Sequence, residues 1–153
     1  MDERLQEVIL ETFSGVFETM FFTFLEPIEE IPTKEDLRRN GGYLEAQISY
    51  SGGHSGNFRF YFPAELARKI TVNFLGVNES EVHAAQVRDT AAETANMAVG
   101  SLLGRLDPEG KCALAIPKVN ELPGFAPETL LGNPDLCIFS TDFGFLMVVG
   151  RHV

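Results

Sequence analysis

An alanine-rich stretch near the middle of the chain, typical of a helix, reads Asp89-Thr90-Ala91-Ala92-Glu93-Thr94-Ala95-Asn96. At 3.6 residues per turn, one stripe of this helix contains Asp89, Glu93, Asn96 and Gly100. The opposite stripe is small and apolar, and consists of Ala84, Val87, Ala91, Ala95, Ala98 and Leu102. The pattern predicts a helix that packs closely on a sheet and presents a carboxylate and a carboxamide, one turn apart, to solvent. The same spacing also fits an ordinary solvated helix face, so both interpretations stay open at this point.

Composition limits the kind of protein and its partners. The chain has 153 residues, of which 44% are hydrophobic and 22% charged, and this predicts one globular domain over residues 1–153. The formal net charge of −10 argues against nucleic acid or an anionic membrane surface as a partner and favours a partner that offers a cation.

Cysteine and histidine usage indicates neither a disulfide framework nor a metal site. The two cysteines, Cys112 and Cys137, lie in apolar segments without C-x-x-C spacing, as expected of reduced thiols in a cytoplasmic protein. The three histidines show no metal-ligand spacing, so we expect no metal bound by this chain. With no secretory signal and no long apolar run, we expect a cytoplasmic location and no membrane insertion.

Apolar periodicity predicts three main helices. The first starts near Leu5 and ends near Pro27, and the second covers residues 63–75, with Pro63 at its start and Gly76 at its end. The third carries the 89–96 stretch, begins at a capping box of Asn78 and Glu81, and runs to about residue 104.

Alternating apolar residues predict strands at residues 44–50, 58–62, 112–119, 136–141 and 145–150. A glycine-rich turn at residues 51–56 makes the first two strands a hairpin, and a Pro/Gly-rich loop covers residues 120–134. Asp142-Phe143-Gly144 spells a kinase metal-binding tripeptide but has none of the accompanying kinase motifs, so it is interpreted as a hairpin turn. Long helices beside hairpins indicate an α+β fold with a mainly antiparallel sheet.

The two halves of the chain show a weak internal repeat. A shift of 75 residues aligns Ser14 with Asp89 and Glu18 with Glu93, but places Phe21 where Asn96 stands. The repeat predicts two pseudo-symmetric halves, of which only the second carries a complete set of polar residues.

The pattern of Asp89, Glu93 and Asn96 on one helix, followed by Pro117, resembles the CheC/CheX/FliY phosphatases of bacterial chemotaxis. The run Val16-Phe17-Glu18-Thr19-Met20-Phe21 and the single intact [D/S]-x3-E-x2-N motif look closest to CheX. The resemblance extends over most of the chain. It implies a CheC/CheX-like α+β fold with two pseudo-symmetric halves and long helices packed on a mainly antiparallel β-sheet.

The resemblance also implies an activity and roles for named residues. CheX-like proteins hydrolyse the phospho-aspartate of CheY-type receiver domains, whose own active site holds Mg²⁺ and a lysine, so this chain needs no cofactor of its own. Asn96 would orient the attacking water, Glu93 would bind the receiver lysine, and Asp89 and Gly100 would contact the receiver. A homodimer is a further expectation from the resemblance.

One other interpretation of the function remains. The same helix could serve a non-catalytic binding module that docks on a receiver or a flagellar-switch protein.

The exposure of the aromatic residues at the end of the first helix is a separate question. Phe21, Phe22 and Leu25, close to the polar stripe of this helix, are either buried under the following connection or exposed as a partner contact.

Overall fold

The computed structural model describes all residues from Met1 to Val153 and has an α+β architecture. Its helices are α1 (Glu3–Phe21), α2 (Lys34–Arg38), α3 (Ala64–Leu75) and α4 (Ala84–Leu106). Its strands are β1 (Glu26–Pro27), β2 (Tyr43–Ser51), β3 (Gly56–Pro63), β4 (Ala113–Leu114), β5 (Lys118–Leu122), β6 (Leu136–Thr141) and β7 (Gly144–His152). Short 3₁₀ turns lie at Glu79–Glu81 and Pro127–Leu130.

The sheet interleaves the two halves of the chain. Its order is β1-β6-β7-β3-β2, and β4 and β5 both pair with the outer edge of β2. Every pairing is antiparallel. Each half supplies a long helix and a hairpin, together with one short strand (β1) in the first half and two (β4 and β5) in the second. The short strands of each half pair with the hairpin of the other half. The predicted α+β fold with two pseudo-symmetric halves is therefore confirmed.

The repeat of 75 residues does not extend into the sheet. That shift would place the β2–β3 turn, at residues 52–55, on the 3₁₀ turn Pro127–Leu130. The equivalent turn of the second half instead lies at residues 142–143, between β6 and β7, as the hairpin interpretation of that tripeptide requires. The offset changes because the connection from α4 to β6 is longer than the connection from α1 to β2.

The core lies between the sheet and α1, α3 and α4, and includes 24 buried residues. At its centre the Phe13 ring of α1 packs within 6.4 Å of Phe58, Phe60 and Phe139 of the sheet. On the predicted inner stripe of α4, full burial is confirmed for Ala91, Ala95, Ala98 and Leu102, and Thr94 and Val99 are fully buried as well. Val87 is half-buried, and Ala84, the first residue of the helix, is exposed. The small side chains let α4 approach the sheet closely.

The first helix is shorter than predicted. It ends at Phe21 because Phe22 adopts a left-handed conformation (φ 50°), where the Phe22 N–H donates to the Phe17 carbonyl. Left-handed backbone costs a residue with a side chain about 1–2 kcal/mol, and glycine usually occupies such caps. Hydrogen bonds to the Phe21 carbonyl from Thr23 Oγ1 (3.0 Å) and Asn73 Nδ2 (2.7 Å) stabilise this end.

The predicted start of the motif helix was wrong. Asn78 and Glu81 do form a cap, with the Asn78 N–H donating to Glu81 Oε1 at 3.2 Å, but it begins only the 3₁₀ turn Glu79–Glu81. Extended backbone at Val82 then redirects the chain, and α4 begins at Ala84 with its own cap, in which the His83 N–H donates to Gln86 Oε1 at 2.8 Å.

The predicted strand 112–119 is divided into β4 and β5. Both pair with β2, and the break between them contains Pro117, which has no N–H to donate to the sheet. The strand resumes at Lys118 and extends to Leu122, into the segment predicted as a loop. Sequence also missed β1 and α2, which lie in the connection after α1.

Both cysteines are free and partly buried. Burial raises the pKa of Cys137 to about 11, so its thiol is protonated and unreactive at neutral pH.

Candidate functional site on α4

Helix α4 presents the predicted polar stripe on its outer face. Asp89 and Glu93 are exposed, whereas Asn96 and Gly100 are half-buried. The structure therefore brings together all four residues that the spacing placed on one face. The two carboxylates are therefore more accessible to solvent than the amide.

The inner face of α4 holds this stripe in place. Ala91 and Ala95 are fully buried against the sheet, and Thr94, also fully buried, donates from Oγ1 to the Thr90 carbonyl at 2.7 Å. The helix packs against α1 on one side and α3 on the other. Because its inner side chains are immobilised, the polar stripe sits on a rigid support, which positioning catalysis and docking both require.

The functional groups of the stripe have no partner within the molecule. The salt bridges of α4 lie elsewhere: Arg88 contacts Glu121 at 3.4 Å, and Arg105 contacts Glu11 at 2.9 Å. Neither these nor the other side-chain hydrogen bonds of the helix engage Asp89, Glu93 or Asn96. A carboxylate and a carboxamide are thus free to bind groups of another molecule.

The stripe forms a ridge between two depressions. On one side Asn96 and Gly100 line an open groove between α1 and α4, bordered by Gly15, Met20 and Leu114. On the other side Asp89 and Glu93 line a smaller depression against the end of α3, bordered by Phe74 and Leu75. Sequence analysis missed Met20, Leu75 and Leu114 as neighbours of the site, because three separate elements supply them and no local pattern marks them.

The segment after α4 returns beneath Gly100. Asp107, which ends the helix, accepts a hydrogen bond from the Cys112 N–H at 2.7 Å, and this bond holds the pKa of Asp107 below its usual range. The chain then enters β4, where Leu114 Cδ1 lies 3.6 Å from the point that a Cβ on Gly100 would occupy. Pro117 lies in the break just beyond β4 and not on the stripe, so it contributes to the sheet edge.

The aromatic cluster at the end of α1 is divided. Phe21 and Leu25 are buried at 0% and 6% exposure, whereas Phe22 is 72% exposed. Of the three candidates for a partner contact, only Phe22 lies at the surface.

The site offers negative charge and no metal ligands. Asp89 and Glu93 on α4 and Glu18 on α1 are exposed carboxylates of a chain whose net charge is −10. No three His, Cys, Asp or Glu side chains are grouped so that they could hold a metal ion. None of the helices combines the length and apolar character that crossing a membrane requires.

These features define a class of α+β protein in which two pseudo-symmetric halves share one antiparallel sheet and a rigid helix presents a free carboxylate and amide. The sequence profile of the family described as "Chemotaxis phosphatase CheX" matches residues 44–140, which include all of α4 and its polar stripe. The chain belongs to the CheX family. The predicted family is confirmed.

Solved structures of similar fold support this assignment. A CheC-like superfamily protein from Shewanella sp. PV-4 is 21% identical, with a TM-score of 0.74 over 100% of this chain and 99% of the other. The chemotaxis protein CheX from Vibrio vulnificus is 22% identical, with a TM-score of 0.73 over 100% of both chains.

A third similar structure is a complex. It contains CheX and CheY from Borrelia burgdorferi with BeF₃ and Mg²⁺. The matched chain of this complex is 14% identical to the present chain, with a TM-score of 0.62 over 95% of this chain and 96% of the other. Comparison with curated proteins finds no significant match.

Proposed function

We propose that this protein hydrolyses the phospho-aspartate of a CheY-type receiver domain, with Asn96 orienting the attacking water and Glu93 binding the receiver lysine. The observation that carries the proposal is the pairing of an exposed Glu93 with a half-buried Asn96, one turn apart on α4 and without internal partners. Membership of the CheX family and the existence of a CheX–CheY complex from another organism support it.

The residue types suit the chemistry. Water attacks the phosphorus, the bond between phosphorus and the aspartate oxygen breaks, and the products are inorganic phosphate and a free carboxylate. An acyl phosphate has a good leaving group, so the catalyst contributes mainly by placing the water in line. The carboxamide of Asn96 both donates and accepts hydrogen bonds, and it brings no charge towards the anionic phosphoryl group.

Glu93 supplies the docking register. Its carboxylate is exposed on the outer face of α4, where a lysine ammonium from a partner can reach it. The Mg²⁺ that neutralises phosphoryl oxygens belongs to the receiver, and the proposal requires no metal from this chain. Asp89 and Gly100, one turn before Glu93 and one turn after Asn96, would contact the receiver at the two ends of the stripe.

The test is the decay of a CheY-type receiver phosphorylated by a small-molecule phosphodonor, followed as release of inorganic phosphate. A panel of receivers is needed, since the cognate one is not identified. We expect the wild-type protein to accelerate decay. Asn96→Ala should lose about 100-fold in rate, equivalent to about 2.7 kcal/mol in the barrier, and Glu93→Ala should mainly raise the receiver concentration needed.

Asn120→Ala is the matched control, because Asn120 is exposed on β5 and lies outside the stripe. It should behave as wild type. Binding to a phosphorylated receiver without faster decay would replace the phosphatase with the docking module that the same helix could serve. If no receiver of the panel were bound and none decayed faster, both functions would be overturned.

A further inference from the structure

Exposed apolar side chains gather beside the polar stripe of α4. Seven large hydrophobic residues of the chain are exposed. Two of them border the depressions of the site: Met20, at 37% exposure, lines the groove that contains Asn96, and Leu75, at 42%, lines the depression that contains Glu93. Isolated apolar residues on a surface are ordinary, but a group around one site is the pattern of an interface.

Phe22, at 72% exposure, is two residues from Met20 in the chain and caps the end of α1. It follows Phe21, whose ring packs 5.5 Å from the ring of Phe74, the residue before Leu75. The end of α1 therefore meets the end of α3 next to α4. Met20, Phe22 and Leu75 are together called the apolar rim below.

The backbone holds Phe22 outward against its conformational preference. Phe22 is the only residue other than glycine with a positive φ, at a helix cap where glycine is usual. Four hydrogen bonds secure this end: the N–H groups of Phe22 and Thr23 donate to the Phe17 carbonyl, and the Phe21 carbonyl accepts from Thr23 Oγ1 and Asn73 Nδ2. Because these bonds fix the backbone that carries the ring, less conformational freedom is lost on binding, which favours Phe22 as an anchor.

We propose that the apolar rim docks the receiver domain beside the phosphoryl site, with Phe22 as the anchor that contributes most to affinity and to the choice of receiver. This inference rests on the proposed function, and it adds the residues that select the partner. A receiver that contacts both Asn96 and Glu93 lies over the groove that Met20 borders and the depression that Leu75 borders.

Charge identifies the occupant as the receiver rather than a lipid surface. Asp89 and Glu93 line the depression that Leu75 borders, Glu11 and Arg105 line the groove that Met20 borders, and the whole chain carries −10. The carboxylates repel an anionic membrane and attract a protein that presents a lysine beside an apolar patch. An apolar anchor flanked by charges that fix the register is the usual anatomy of a specific contact.

Phe22→Gly is the decisive variant. Glycine adopts the left-handed conformation without strain, so the substitution removes the ring while the cap becomes no weaker. Thermal unfolding should therefore show a Tm at least equal to that of wild type. Leu75→Ala is the second variant, and Ile31→Ala is the control, because Ile31 is 74% exposed but borders a different groove, formed by α1, β1 and β6.

Affinity is measured by titrating each variant with a receiver carrying BeF₃ and Mg²⁺, which binds without being hydrolysed. We expect Phe22→Gly to raise the Kd about 10-fold or more, equivalent to about 1.4 kcal/mol, and Leu75→Ala to raise it by a smaller factor. In the decay assay, the half-saturating receiver concentration should rise by the same factor, while turnover at saturation falls much less. Ile31→Ala should bind as wild type.

The outcomes separate this inference from the proposed function. If Phe22→Gly binds the receiver with the wild-type Kd while Asn96→Ala loses hydrolysis, the docking role of the apolar rim is overturned and the proposed phosphatase function is retained. Weaker binding of Phe22→Gly to a receiver that the wild type binds but does not hydrolyse supports the rim and overturns the phosphatase. A dimer by light scattering that Phe22→Gly converts to monomers assigns the rim to a second copy of this chain and overturns the inference.

Discussion

Helices α1 and α4 occupy matching places in the two halves, and the same spacing of residues has different consequences in each. In α4, Glu93 is exposed and Asn96 is half-buried at the surface. In α1, Glu18 is also exposed, but Phe21 is fully buried, with its ring 5.5 Å from both Phe17 and Phe74.

The difference comes from the face that each helix buries, because Phe21 continues the buried series of Phe13 and Phe17 on α1, whereas Asn96 lies off the buried series of α4. Helix α1 stops at Phe21, whose carbonyl is part of the cap and whose side chain fills the junction between α1 and α3. Helix α4 continues beyond Asn96 to Leu106, and Asn96 lies on its outer face. The comparison teaches that the same spacing presents its last residue to the surface in α4 and to the core in α1, according to which face of the helix packs inward.

The strongest test of this comparison introduces the missing amide into α1. Phe21→Asn removes a fully buried ring and buries an amide in its place, so we expect the free energy of unfolding to fall by about 3–5 kcal/mol. It should create no second site, because that position faces the core. Denaturant unfolding and the receiver decay assay measure the two effects.

The control for this variant is Phe24→Asn, the same substitution at a residue that is 62% exposed. Its effect on stability should stay within about 0.5 kcal/mol. If Phe21→Asn were equally mild, or if it increased phosphatase activity, α1 would not be the inert counterpart of α4.

The second test changes the amide of α4 without changing its shape. Asn96→Asp replaces a group that donates and accepts with a carboxylate that only accepts and that repels the phosphoryl group. We expect the rate of decay at saturating protein to fall at least 100-fold, or about 2.7 kcal/mol in the barrier. Stability should be retained, because Asn96 is half-buried and lacks internal hydrogen bonds.

Asn120→Asp adds the same negative charge on β5, where the residue is exposed, and serves as the control. A wild-type decay rate in Asn96→Asp would show that catalysis depends on the shape of this side chain and not on the N–H donor of its carboxamide. Loss of rate in both variants would point to net charge instead, and would weaken the contrast between the two helices.

Local patterns predicted the elements that local physics controls. Small apolar residues at helical spacing identified the buried face of α4, and Gly76 correctly marked the end of α3, where it adopts φ 65°. The polar stripe was also readable, because helix geometry alone places Asp89, Glu93, Asn96 and Gly100 on one side.

Features that depend on residues distant in the chain could not be predicted from the sequence. The end of α1 depends on Asn73, which lies far along the chain on α3, and its side chain reaches the Phe21 carbonyl. The surroundings of the site come from α1, α3 and β4, so the sequence predicted the ridge but not the depressions beside it.

The smallest expected effects come from a matched pair of glycines, one on each helix. Gly15 of α1 and Gly100 of α4 line the same groove, and a Cβ on Gly15 would meet no atom within 4 Å, whereas one on Gly100 would make ordinary contact with Leu114. Alanine at either position should stabilise its helix by about 0.5–1 kcal/mol, measured by denaturant unfolding.

Binding of the receiver separates the two substitutions. Gly100 lies on the polar stripe, one turn beyond Asn96, so the added methyl of Gly100→Ala meets the partner and should raise the Kd a few-fold. Gly15→Ala should leave the Kd unchanged, because Gly15 lies across the groove on the helix without an amide. An equal loss of affinity in both variants would show that the receiver enters the groove and contacts α1 as closely as α4. No loss in either would remove Gly100 from the interface and confine recognition to Glu93, Asn96 and their apolar neighbours.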